Sequence, residues 1–158
     1  LKNQLRADIK RIAAETGVTV IMVSHDPADG LFLSDELLIL KDGKLLQRGA
    51  PADVYNDPHD IYTAQILGNA VVLNGDDASK LGITTNQQKV MFYPEWVRLD
   101  NTWNSRRFEV LDVYYKGFYE ELLLERNGVK IRAIQLNRGV HKKNDHVQAN
   151  ISRYKEFN

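Results

Sequence analysis

The triplet Ser24-His25-Asp26 places three side chains capable of proton and phosphate chemistry in one short stretch. A neutral imidazole donates one hydrogen bond and accepts another, so His25 could contact a terminal phosphate oxygen while holding an attacking water. A helix N-cap role explains Asp26 without any catalytic function. Ser24 and His25 do not indicate a nucleophile and its base, because neighbouring strand residues point to opposite faces and no nucleophile elbow surrounds them.

Other charged and histidine side chains give weaker signals. Asp29, Asp35 and Glu36 are interpreted as solvated charges, since no histidine or carboxylate partner shares their spacing, and no metal site is predicted. His141 and His146 stand five residues apart in a polar stretch with no third ligand. We expect both to be surface histidines.

Aromatic and arginine side chains in the second half of the chain could form a stacking and phosphate-binding surface. Core and dimer packing is the interpretation that we favour for them. Residues 1–69 contain 7 Lys and Arg against 10 Asp and Glu, and residues 70–158 contain 14 against 11. An excess of three positive charges argues against nucleic-acid binding and leaves a small oxyanion or regulatory ligand open. The residues are Trp96, Trp103, Tyr114, Tyr115, Phe118, Tyr119, Arg106, Arg107 and Arg132.

The elements that must position His25 follow from hydrophobic periodicity. Apolar residues at helical spacing over 5–13 predict an amphipathic helix that ends at Gly17. The continuous apolar run Val18–Val23 predicts a strand buried on both faces, and helix followed by buried strand indicates an α/β fold. His25 would then lie at the carboxyl end of a parallel sheet, where such folds bind ligands.

Turn and helix signals organise the rest of the first domain. Asp26 and Pro27 begin a short helix that runs to about Leu33. Asp42-Gly43 predicts a type I′ turn between strands at 37–41 and 44–48. Two further helices are predicted, Pro51 to Tyr55 and Ile61 to Leu67.

Short strands separated by turns dominate the second domain. Asn127-Gly128 is a strong hairpin signal, and Lys116-Gly117 and the residues 143–145 are further turns. The pattern predicts an all-β barrel of the OB type over 70–158, after an α/β domain over 1–69. The predicted strands are 89–92, 108–115, 119–125, 129–136 and 147–152.

The composition limits the classes of protein to which this chain could belong. Hydrophobic residues make up 43% of the 158 residues, which is enough for a packed core. The chain has no cysteine and no apolar run of about 20 residues, so disulfides and thiolate metal sites are excluded and a cytoplasmic location is expected.

The order of motifs from Val18 to Pro58 resembles the end of the nucleotide-binding domain of ABC importer ATPases. The matching pieces are the apolar run before Ser24-His25-Asp26, the Asp42-Gly43 hairpin, Gly49 before Pro51, and Val54-Tyr55 before Asp57-Pro58. Residues 1–12 are similar to the helix that follows the family's D-loop, and 63–68 to its final helix.

Residues after Val71 resemble the transport-associated OB domain of importer ATPases for maltose, ferric iron, polyamines and sulfate. Tyr93-Pro94-Glu95 and Val97-Arg98-Leu99 are its best markers. Family members often carry arginine where this chain has Tyr93, so contacts of that arginine are not transferred.

The resemblance implies the ATP-hydrolysing subunit of an importer. His25 would be its switch histidine at the ATP γ-phosphate, ATP and Mg²⁺ the cofactors, and a second ATPase subunit and transmembrane permease subunits the partners. The location would be cytoplasmic, at the inner face of the cell membrane. The transported solute stays open.

The chain contains no G-x-x-x-x-G-K-[ST] loop, and by comparison with the family it lacks the Walker B and signature motifs. Its first helix also has no start signal, so we expect a longer protein upstream and no ATP hydrolysis by this chain alone. The alternative is a regulatory, dimerisation or small-ligand-binding OB module without catalysis.

Overall fold

A computed structural model of the chain describes residues 2–136 and 139–158. The backbone divides into two compact units, Leu1–Gly68 and Asn69–Asn158. Within the described residues, no helix combines the length and apolar character that a membrane span requires.

The described residues of the first unit form four helices and one hairpin. Asp42 and Gly43 have φ angles of 49° and 74°, which confirms the predicted turn, because a type I′ turn requires positive φ at both central positions. A small core of Ile39, Val54 and Leu67 lies between the hairpin and the last two helices of this unit. The elements are α1 (Lys2–Thr16), α2 (Pro27–Leu33), β1 (Leu37–Lys41), β2 (Lys44–Gly49), α3 (Pro51–Asn56) and α4 (Ile61–Gly68).

The strand predicted at Val18–Val23 is not formed, and that prediction is wrong for this chain. Residues 18–24 are irregular, and Ile21 and Val23 are 91% and 93% exposed. A strand exists only where a neighbour takes up its backbone hydrogen bonds. The described part of the first unit contains only the antiparallel pair β1 and β2, so the parallel α/β layer expected here is not shown.

The second unit has two antiparallel sheets. The elements of this unit are β3 (Val71–Asn74), α5 (Gly75–Lys80), β4 (Lys89–Phe92), a 3₁₀ turn (Pro94–Trp96), β5 (Val97–Leu99), β6 (Arg106–Tyr115), β7 (Tyr119–Arg126), β8 (Val129–Leu136), β9 (His146–Ile151) and β10 (Lys155–Phe157). The smaller sheet has the strand order β10-β4-β3, and the larger has the order β5-β9-β6-β7-β8.

The larger sheet curls into a nearly closed barrel. Its two edge strands approach each other, and the Gln135 side chain on β8 donates a hydrogen bond of 2.8 Å to the Val97 carbonyl on β5. The buried core inside includes Phe108, Leu122 and Ile131. The arrangement is consistent with the OB-like barrel expected from the sequence.

Two details of the predicted β domain are wrong. Residues 89–92 form a strand, but it belongs to the smaller sheet, and the fifth barrel strand is the short β5. The domain is also not all-β, because Asn74 caps the helix α5 by accepting a hydrogen bond of 2.8 Å from the Asp77 amide. The Asn127-Gly128 hairpin is confirmed by φ angles of 51° and 80°.

A carboxylate and an imidazole pair with each other inside the barrel wall. Glu120 on β7 is only 2% exposed, and its carboxylate is hydrogen-bonded to the imidazole Nδ1 of His141. The expectation that His141 is a surface residue is therefore wrong, whereas His146 is exposed. A buried carboxylate needs such a partner, because an unsatisfied charge is costly away from water.

Removing this partner should destabilise the barrel. We expect His141→Ala to lower the free energy of unfolding of the second unit by about 2 to 3 kcal/mol, because Glu120 loses a charge-assisted hydrogen bond. Both tryptophans, Trp96 and Trp103, belong to this unit, so tryptophan fluorescence in urea reports it selectively. His146→Ala is the control, and equal effects of the two variants would contradict the prediction.

Tyr93, which follows β4, is fully buried, and its ring meets that of Trp96 edge-on at 4.8 Å between centroids. Burial raises the pKa of the Tyr93 phenol well above its ordinary value of 10.0, and the Glu95 carboxylate adds to the rise while Arg153 opposes it. The folded state therefore holds this proton more tightly than the unfolded chain does.

The consequence is a loss of stability in alkali. Because the pKa of Tyr93 is higher in the folded protein than in the unfolded chain, its protonation contributes to the free energy of unfolding. This contribution is complete below pH 10.0 and declines as the pH rises above that value. We expect the urea midpoint of the second unit to fall more steeply between about pH 10 and about pH 12 in the wild type than in Tyr93→Phe. Parallel curves for the two proteins would show that ionisation of Tyr93 does not cause the loss of stability in alkali.

Candidate functional site

The turn that carries His25 is fixed by capping of the following helix. The Asp26 Oδ1 atom accepts a hydrogen bond of 3.0 Å from the Ala28 amide, and Pro27 occupies the first helical position. The predicted N-cap role of Asp26 is thereby confirmed, since a side-chain oxygen satisfies an amide that has no partner within the helix.

An arginine from α1 ties this turn in place. The Arg6 guanidinium lies 2.5 Å from the Asp29 Oδ1 atom through Nη2 and 3.1 Å from the Asp26 Oδ2 atom. These side chains are only 12%, 18% and 29% exposed, in that order. The expectation that Asp29 is a solvated charge is therefore wrong, because its carboxylate is largely withdrawn from water against a guanidinium.

The Ser24 hydroxyl completes the network. It donates a hydrogen bond of 2.7 Å to the Asp29 Oδ2 atom and accepts one of 3.0 Å from the Asp26 amide. Ser24 is thus directed at a carboxylate of the turn and not at the imidazole beside it. Arg6, Ser24, Asp26 and Asp29 form a set of contacts that we call the turn clamp.

His25 itself projects from the clamped turn. It is exposed, and no hydrogen bond or ion pair within the described residues involves its imidazole. Both ring nitrogens are therefore available to an external group. The role that the resemblance implied for His25 stays a prediction.

The remaining acidic candidates, Asp35 and Glu36, are both exposed. Glu36 forms an exposed ion pair of 3.1 Å with Arg48, as a solvated charge would. Across residues 2–136 and 139–158, no three or more His, Cys, Asp or Glu side chains gather in a way that could hold a metal ion.

The aromatic and arginine residues of the second unit do not form one surface. Trp103 and Phe118 are strongly exposed but lie beyond opposite ends of β6, whose ten residues span about 30 Å. Trp96 packs against the barrel core with the Arg153 guanidinium 4.4 Å above its ring. Arg132 is engaged by Glu121 on the neighbouring strand.

Most of the chain is similar in sequence to known proteins. The spermidine/putrescine import ATP-binding protein PotA of Mesoplasma florum is 29% identical over 144 residues, covering 79% of this chain and 41% of that protein. The Fe(3+) ions import ATP-binding protein FbpC 1 of Rhodococcus jostii is 32% identical over 136 residues, covering 76% and 39%. The homologues are ABC importer ATP-binding subunits.

A shorter match is closer in sequence. The importer subunit FbpC of Pseudomonas fluorescens is 44% identical over 73 residues, which cover 46% of this chain and 21% of that protein. No protein-family model matches the chain. The chain spans about two fifths of the length of the importer subunits that match most of it, consistent with a C-terminal portion of such a subunit.

The contacts of the turn clamp lead us to expect that the stability of the turn at residues 24–29 depends on Arg6. In Arg6→Gln, two carboxylates lose their charged donor, and we expect hydrogen exchange at the Ala28 and Asp29 amides to accelerate about tenfold or more. Arg11→Gln is the control, because Arg11 pairs with Glu15 on the exposed face of the same helix. Equal exchange in both variants would mean that Arg6 does not hold the turn.

Proposed function

We propose that this chain is the C-terminal part of the ATP-hydrolysing subunit of an ABC importer and that His25 contacts the γ-phosphate of ATP in the complete subunit. The observation that carries the proposal is the similarity of most of the chain to importer ATP-binding subunits. The exposed imidazole on a clamped turn supports the role of His25.

The exposed run Val18–Val23 supports a longer first domain. Its uncharged, mostly β-branched side chains suit a strand buried on both faces, yet most of them face solvent in this chain. In the complete subunit this run joins a parallel sheet of the nucleotide-binding domain, and residues 1–69 are the end of that domain. His25 then follows the carboxyl end of a strand.

Phosphoryl transfer to water depends mainly on positioning and on charge stabilisation. His25 supplies a hydrogen bond to a phosphate oxygen, and the turn clamp restricts the orientation of the backbone that carries the ring. The residues of this chain do not by themselves fit ATP and Mg²⁺, because the sequence has no phosphate-binding loop and the described residues hold no cluster of metal ligands. We therefore assign nucleotide and metal binding to the rest of the subunit and expect this chain alone to be inactive.

The partners follow from the same proposal. The complete subunit pairs with a second copy and drives membrane permease subunits, which hold it at the cytoplasmic face of the membrane. Relatives are named for the import of spermidine and putrescine or of Fe(3+) ions, so both classes of solute fit the proposal.

A second candidate function is a regulatory module that binds a small ligand or pairs two subunits through the barrel, residues 70–158. The observation that favours it is a separate compact unit with its own core and a cleft lined by arginines. The two functions are compatible, because one unit can regulate the ATPase to which the other belongs.

Replacing the switch histidine tests the first proposal. In the complete subunit, His25→Ala should reduce ATP hydrolysis roughly a hundredfold while ATP binding changes little, because the contact acts on the phosphate that is transferred. Phosphate release and equilibrium binding of a nucleotide analogue are the measurements.

His59→Ala is the matched control, since His59 is another exposed histidine of the same unit. Turnover of His25→Ala near that of the control would refute the role of His25. The family assignment has an independent test in the sequence upstream of Leu1, which must encode a G-x-x-x-x-G-K-[ST] loop.

A further inference from the structure

A hydrogen bond encloses His25 within the turn that carries it. The Ser24 hydroxyl, one residue before His25, accepts a bond of 3.0 Å from the amide of Asp26, one residue after it. A side-chain bond of this kind, to the amide two residues further on, closes a tight turn around the residue between. The backbone that carries the imidazole is therefore held on both sides.

The carboxylate of Asp29 anchors this turn to the first helix. Its Oδ2 atom accepts a hydrogen bond of 2.7 Å from the Ser24 hydroxyl. Its Oδ1 atom accepts another, also of 2.7 Å, from the Arg6 Nε atom on α1. Asp29 thus uses one oxygen for each neighbour, and it joins the residue before His25 to α1.

The Arg6 side chain is held in one orientation by three partners, of which Asp29 is the first. The Nη2 atom donates a hydrogen bond of 3.1 Å to the Asp26 Oδ2 atom, and the Nη1 atom donates one of 3.1 Å to the Asn3 Oδ1 atom. Because a guanidinium is planar, bonds from all three of its nitrogens fix the plane of the head group. A lysine ammonium could not make these contacts in the same geometry.

The elements on either side of the turn do not fix the His25 ring by themselves. The strand proposed for Val18–Val23 ends before the turn, and α2 has only seven residues, too few for a helix that is stable on its own. The imidazole has no hydrogen bond or ion pair within the described part of the chain. Its position therefore depends on the backbone of the turn and on the bonds that hold it.

We propose that Asp29 is a positioning residue for the phosphate contact of His25, acting through Ser24 and Arg6. Asp29 fixes the turn, and the turn places the imidazole. The inference rests on the proposed function of His25 and adds the residues that determine where its ring lies. The effect falls on the rate of hydrolysis and not on nucleotide affinity, because the contact acts on the phosphate that is transferred.

The test compares two substitutions of Ser24 in the complete subunit. Ser24→Ala removes the hydroxyl and should lower kcat for ATP hydrolysis about tenfold, since small displacements of a reacting contact slow catalysis strongly. Ser24→Thr keeps the hydroxyl and should stay within about twofold of the wild type. Ser24 is exposed, so neither change disturbs a core. Equilibrium binding of a nucleotide analogue should be unchanged in both.

Ser34→Ala is the matched control, because it removes a hydroxyl bond at the opposite end of α2. The Ser34 hydroxyl donates a hydrogen bond of 2.6 Å to the Gly30 carbonyl and has no part in the turn clamp. This variant should hydrolyse ATP at the wild-type rate. Equal loss of turnover in Ser24→Ala and Ser34→Ala would overturn the proposal, since general weakening of α2 would explain both.

Combination with His25→Ala separates positioning from a merely structural role. Ser24→Ala and Asp29→Ala should each lower kcat in the otherwise unchanged subunit and should have no further effect when His25 is already replaced. An undiminished effect in the His25→Ala background would refute the positioning role. If Asp29→Ala does not fold, the Ser24 variants decide, and wild-type turnover of Ser24→Ala would refute the proposal.

Failure of this inference can be told apart from failure of the proposed function. Wild-type turnover of His25→Ala would refute the role of His25 and the positioning role together. Impaired turnover of His25→Ala combined with wild-type turnover of Ser24→Ala would refute the positioning role alone.

Discussion

A β-strand is stable only where a neighbouring strand takes up its backbone hydrogen bonds. The two units of the chain differ in how far they meet this constraint. In the second unit every strand of the larger sheet has a neighbour, and the Gln135 amide links the two edge strands by bonding to the Val97 carbonyl. A continuous core forms inside. In the first unit, Val18–Val23 has side chains suited to a buried strand, but the described residues offer it no partner.

Signals from residues close together in the sequence were sufficient to predict the turns, the helix cap and the long strands. Asp-Gly and Asn-Gly are among the few dipeptides in which both residues adopt positive φ at small cost. The turns at Asp42-Gly43 and Asn127-Gly128 could therefore be predicted to the exact residue. The strand β8, Val129–Leu136, has the predicted bounds because its alternation begins directly after such a turn. The Asp26 cap follows from chemistry within two residues of the helix start.

Contacts between distant residues could not be predicted. Arg6 meets Asp29 across 23 positions, and His141 meets Glu120 across 21, so neither pair has a spacing that identifies it. Short edge strands such as β5 and β10 have only three residues each, too few for a periodic pattern, and they form because the barrel and the smaller sheet offer them an edge. The candidate site shows the same division: His25 was predictable from its neighbours in sequence, and the clamp around it was not.

The exposed run at Val18–Val23 also has a consequence for contacts between copies of this chain. Six consecutive residues without charge or proline, three of them valine and one isoleucine, have the composition of segments that pair between molecules into intermolecular sheets. The acidic residues Glu15 and Asp26 flank this run in the sequence, and their carboxylates form ion pairs with Arg11 and Arg6. The stretch with the sequence pattern of a buried strand therefore also has the composition of an aggregation-prone segment.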